Sequence, residues 1–133
     1  MKLIKDCALI ALIALGAAGP ALAHHSFAMF DFTRQTVING VVAEVQWRNP
    51  HVVIYVTAQP EPGRPGAVWW AELSSPRNLV GIGWSKQAFK VGDRVEVTLN
   101  PLRDGRHGGA FLRGKVLATG KVWSSDRPNK SGP

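Results

Sequence analysis

Cysteine is nearly missing from this chain: Cys7 is the only one in 133 residues. It sits ahead of an apolar run rather than behind it, so the sequence excludes a disulfide framework, a Cys-based zinc site and a lipid-attachment cysteine at a cleavage point. Acidic residues are also scarce, nine against sixteen Lys and Arg. Asp31, Glu44, Glu72, Asp93 and Glu96 fall on separate segments, so spacing yields no acid/base pair. Long hydrophobic runs are absent too. The longest, Ala8 to Gly19, is too short for the roughly 20 residues of a spanning helix, and no second run follows it.

That short run is nevertheless informative. Lys2 and Lys5 precede it, Pro20 breaks it, and Ala21-Leu22-Ala23 follows as a small-x-small triplet. This is the order of a secretory leader, so residues 1–23 are expected to be removed and the protein to be periplasmic or secreted. Cleavage after Ala23 leaves 110 residues beginning His24-His25, enough for one small domain. The remainder carries fourteen basic and eight acidic residues, a net of +6 that is unevenly placed. From Arg77 onward basic residues outnumber acidic ones eleven to four. A basic half attracts anionic partners, and export argues against nucleic acid among them.

Periodicity predicts an all-β chain with one short helix. Residues 24–35 read as an N-terminal arm with an apolar cluster, Phe27, Met29, Phe30 and Phe32. The segment TVINGVVAEVQWRNP alternates Val41, Ala43, Val45 and Trp47 on one face, with Gly40 as a bulge or bend. HVVIYVT and VWWAEL follow as strands around the loop QPEPGRPGA, and VWWAEL sets Trp69, Ala71 and Leu73 against Trp70 and Glu72. In SSPRNLVGIGW, Ser75 can cap and Pro76 can open a helix that Gly81 and Gly83 stop. VGDRVEVTLNP turns Val95, Val97 and Leu99 inward, and AFLRGKVLATGKVW reads as a fifth strand bent at Gly114. Five strands with a helix between the third and fourth is the order of an OB-like small barrel over 36–123, with an open β-sandwich as the alternative and a disordered tail over 124–133.

The histidine pair is the candidate chemical site, its plainer alternative being an unstructured chain end. A chain starting at His24 offers its α-amine and imidazole Nδ1 to one metal, and a further imidazole completes a three-nitrogen set that suits Cu(II). His25 or His51 is the candidate third ligand, so the predicted metal residues are His24, His25 and His51, with copper as cofactor. His51, after Asn49-Pro50, reads more simply as an edge residue bonded to backbone, and His107 as a solvent-exposed loop residue. Ser74-Ser75 fit caps rather than nucleophiles, and GRHGG lacks the lysine of a phosphate loop. Oxidative chemistry at such a copper end is the one enzymatic route these residues leave.

A second reading makes the chain a basic interaction module for an anionic envelope component or partner protein, using Trp70, Trp84, Arg103 and Arg106. Trp70 is expected to be more exposed than Trp69 because Glu72 shares its face.

The runs HHSFAMFD, GVVAEVQWRNPHVVIYV, WWAELSSPRNLVGIGW and KVGDRVEVTLNPLRDG together resemble a family of small exported bacterial proteins, the domain-of-unknown-function family 6152. The matched motif positions include His24, His25, Asn49, Pro50, His51, Trp84 and Asp93. The resemblance implies kinship across nearly the whole exported chain and supplies no activity, substrate or cofactor.

Overall fold

The computed structural model describes residues 27–60 and 62–125. A 3-10 turn, Phe27–Met29, leads into β1 (Thr36–Gln46), β2 (Val53–Ala58) and β3 (Val68–Glu72). Helix α1 (Pro76–Gly81) separates these from β4 (Arg94–Pro101), β5 (Gly108–Val116) and β6 (Val122–Ser124). The strands lie in the order β3-β2-β1-β4-β5-β6, and an additional β3–β5 pairing closes the first five into a ring. That seam is parallel, with Trp70 opposite Gly108 and Glu72 opposite Ala110, whereas every other pairing is antiparallel. The chain is therefore a closed five-stranded mixed barrel with one short helix and an extra strand, as the OB-like order requires, and not an open sandwich. Closure removes the long unpaired edges that a sandwich would leave.

Gly108 makes the seam possible. A Cβ there would run into the indole of Trp70, so any larger residue would push β5 away from β3. Gly40 has a similar role elsewhere and is not the bulge expected of it. Its Cβ would meet the Thr57 carbonyl of β2, and the register shift falls later, between Val42 and Glu44. The shift reverses the expected facing of half the strand. Ile38 and Val42 are buried while Val41 and Ala43 are exposed, and only beyond the bulge do Val45 and Trp47 pack on the core. A bulge adds one residue to one strand, so the alternation on its two sides cannot be read as a single pattern.

The interior matches the expectation for β4. Val95, Val97 and Leu99 are at most 1% exposed, and they meet Ile54 and Val56 of β2 and Ala71 of β3. Helix α1 contributes Leu79, which is fully buried in the same core. Its start is built as the sequence implies: Ser75 Oγ accepts from the Asn78 amide at 3.3 Å, and Pro76 occupies the first turn. Burying a leucine of this kind stabilises by about 1.5–3 kcal/mol.

The last segment differs from one bent fifth strand. It is a hairpin, turned where the Val116 amide donates to the Lys121 carbonyl at 2.9 Å, with β6 returning along β5. Gly114 does not mark a bend but a packing gap, since a Cβ there would press on the Phe89 ring at 2.7 Å. Ser124 belongs to β6, and the Ser125 amide donates to the Leu112 carbonyl at 2.9 Å, so ordered pairing continues past residue 124. Among the described residues no helix is long and apolar enough to cross a membrane.

Candidate functional site: the outer wall of β2 and β3

Alternation along β2 and β3 sends Ile54, Val56 and Ala71 inward and leaves Tyr55, Trp70 and Glu72 on the outer wall. The register sets Tyr55 opposite Trp70 and Val53 opposite Glu72. His51 lies two residues before Val53, so it shares that wall at the end where β3 finishes. Its Nδ1 and Oε1 of Glu72 are 2.8 Å apart, with both side chains partly sheltered, 33% and 23% exposed. The Asn49–Pro50 peptide just before it is cis.

The N-terminal arm is fastened to the same wall and to the β4–β5 loop. Phe30 is buried, forms an isolated antiparallel bridge with Leu102, and meets Trp70 edge-on at 6.2 Å between ring centres. The Asp31 amide donates to the Pro101 carbonyl at 2.8 Å, and the Arg103 amide to the Met29 carbonyl at 3.0 Å. Arg103 Nε donates to the Ala28 carbonyl at 3.0 Å, and Asn100 Nδ2 to that of Arg34 at 2.7 Å. Asp31 is held below the usual carboxylate pKa, first by the Thr33 hydroxyl and amide that donate to it and then by Arg103 and Arg34. Asp104 is lowered by the amide and the guanidinium of Arg106.

These contacts redistribute the residues expected at a ligand surface. Trp84 is not there: it is 4% exposed, packed on Phe89, Phe111 and Trp123, with Nε1 donating to the Ser124 carbonyl at 3.0 Å. Its large ring fills the barrel end beside α1, a use that an aromatic near two glycines does not announce. Trp69 and Trp70 are both half-buried; Trp69 packs against the core, whereas Trp70 stands on the outer wall with Glu72. Arg103 is engaged in pinning the arm, and Arg106 pairs with its near neighbour Asp104 at 2.8 Å. His107 is exposed as expected, yet its ring lies 4.9 Å from that of Trp69.

Of the predicted metal residues, His51 stands on the wall described above, whereas His24 and His25 lie outside the described residues. Among the described residues no group of three His, Cys, Asp or Glu side chains gathers as a metal cluster. Sequence reasoning did not link Glu72 to His51. The pairing was hinted at, because a hairpin brings the start of its first strand near the end of its second, but the nine-residue loop between β2 and β3 hides the register.

Nothing among curated proteins or solved structures matches the chain. The model of a family of unknown function, DUF6152, matches residues 11–111, and the chain belongs to that family.

Proposed function

We propose that this protein is an exported, non-catalytic binding barrel that holds one Cu(II) ion between its processed amino terminus, His24 with His25, and His51 at the end of the β2–β3 wall. The observation that carries this reading is the 2.8 Å contact of His51 Nδ1 with Glu72. Metal-ligating imidazoles characteristically give their second nitrogen to a carboxylate, which fixes the ring and raises the basicity of the ligating nitrogen. With Nδ1 against Glu72, Nε2 would be the nitrogen to hold the metal.

Reach supports the same reading. Phe30 fastens the arm to Trp70, and Glu72 follows Trp70 by two residues on the same side of β3, about 7 Å further along. Five residues lie between His24 and Phe30; Phe27–Met29 are coiled in a 3-10 turn, and the three steps from His24 to Phe27 add a reach of up to about 10 Å when extended. The terminus can therefore return to His51 without disturbing the arm. Neither the α-amine nor an imidazole needs a buried charge partner to bind Cu(II), which suits a site at the rim of a barrel.

Titration of the purified, processed protein with Cu(II) tests the reading. One ion per chain is expected, with affinity falling at least tenfold in His51→Ala and by about ten- to a hundredfold in Glu72→Gln, the range for loss of a carboxylate behind a ligand. Equal affinity in wild type and His51→Ala would overturn it.

A further inference from the structure

We infer that the wall formed by β1, β4, β5 and β6 docks on an anionic phospholipid surface, independently of the copper site. Cross-strand register places Val41 beside Arg94, Asn39 beside Glu96 and Val37 beside Thr98. The next strands continue these rows, with Lys115 beside Glu96 and Val122 beside Lys115, and with Arg113 between Thr98 and Ser124. Lys121, at the hairpin, lies 4.0 Å over the core-side Trp123 ring and so belongs to the other face. One wall thus carries Arg94, Arg113 and Lys115 against the single carboxylate of Glu96.

Charge on this wall is left largely unpaired. The ion pairs among the described residues are His51–Glu72, Arg103–Asp31 and Arg106–Asp104, none of which lies here. Two shallow grooves share Arg113. One, of ≈ 260 Å³, is lined by Glu96, Lys115 and Val122, and the other, of ≈ 390 Å³, by Gln35, Thr98 and Ser124. Each is open to solvent and presents cationic or hydroxyl groups suited to a phosphodiester headgroup.

Apolar side chains are interleaved with these cations. Val37, Val41, Leu117 and Val122 are all at least 40% exposed, and Leu117 and Val122 flank the β5–β6 turn. Cations ringing exposed aliphatic groups favour an anionic interface, where the charges meet headgroups and the aliphatic groups enter the acyl boundary. A soluble polyanion would draw on the charges alone and leave these aliphatic groups in water.

Sedimentation with vesicles tests the inference. The purified protein should bind vesicles of equal parts phosphatidylglycerol and phosphatidylcholine, and not phosphatidylcholine alone. Each cation near the surface is worth about fivefold in partitioning, so Arg113→Gln/Lys115→Gln should weaken binding on the order of twentyfold. Leu117→Ser/Val122→Ser should remove the part of binding that persists in high salt. The charge-matched control Arg64→Gln/Arg106→Gln, on other loops, should bind within about twofold of wild type. Three results would overturn the inference: no preference for anionic vesicles, a control that loses as much as Arg113→Gln/Lys115→Gln, or Leu117→Ser/Val122→Ser binding unchanged while soluble polyglutamate competes fully.

Discussion

Replacing Phe30 by Ala separates the arm from the barrel on which it lies. Phe30 is 3% exposed, and it touches Trp70 and Phe32 rather than the central core of Val95, Val97 and Leu99. Burial of its ring stabilises the docked arm by about 2–3 kcal/mol, and the edge-on contact with Trp70 adds about 0.5–1.5 kcal/mol. Truncation should therefore cost the docked state about 3 kcal/mol, a shift of roughly a hundredfold in the docking equilibrium. Amide hydrogen exchange reads this directly, because neighbouring amides report on different bonds. The Arg103 amide bonds to Met29 of the arm, whereas the Leu102 amide bonds to Gly108 within the barrel. In Phe30→Ala the Arg103 and Asp31 amides should lose about a hundredfold of protection, or all they have if docking is weaker than that. Leu102 should keep its protection. Equal loss at Leu102 and Arg103 would refute the reasoning, since arm and barrel would then open as one unit.

Other perturbations probe separate parts of the account. Gly40→Ala should lower stability by at least about 1–3 kcal/mol in a denaturant melt, because its methyl group meets the Thr57 carbonyl and β2 must move. Ser75→Ala should cost about 1 kcal/mol by removing the cap on the Asn78 amide, seen as a lower urea midpoint with unchanged slope. Asp31 also makes arm docking sensitive to acid through its 3.9 Å contact with Arg103, while the larger cause of its lowered pKa, donation from Thr33, lies within the arm. Its pKa in the folded chain lies below the ordinary 3.8, so its contribution is complete above that value and is lost as pH falls through the lowered one. Protection of the Arg103 amide, corrected for intrinsic exchange, should thus be flat from neutral pH down to about 4 and decline below it. Asp31→Asn should remove that acid step.

The sequence disclosed what local rules determine. Strict alternation in VEVTL identified the buried face of β4, and Ser75-Pro76 announced the helix that carries Leu79 into the core. The phenylalanines after His25 likewise pointed to a docked arm, and Phe30 docks it. What escaped depends on contacts between distant segments. The bulge after Val42 is fixed by pairing with β2, and it turned Val41 and Ala43 outward against the apparent pattern. The β5–β6 turn was obscured because Leu117 and Ala118 continue an apolar run; its one signal is Gly120, which takes φ +71°. Trp84 was assigned to a surface because loop tryptophans resemble ligand platforms, whereas closure of the barrel leaves a space at its end that the ring fills. His51 was recognised, but its tie to Glu72 required the β2–β3 register. The cationic wall was visible only as a basic half of the chain, since its cations come from two strands, β4 and β5, whose shared face only the register reveals.

The central claim, a Cu(II) ion shared by the processed terminus and His51, is tested most directly by intact mass and electron paramagnetic resonance on the same copper-loaded sample. The account predicts a chain starting at His24, one copper per chain, and nitrogen hyperfine structure that loses one imidazole in His51→Ala. A chain that starts elsewhere than His24, or a spectrum unchanged by His51→Ala, would contradict it.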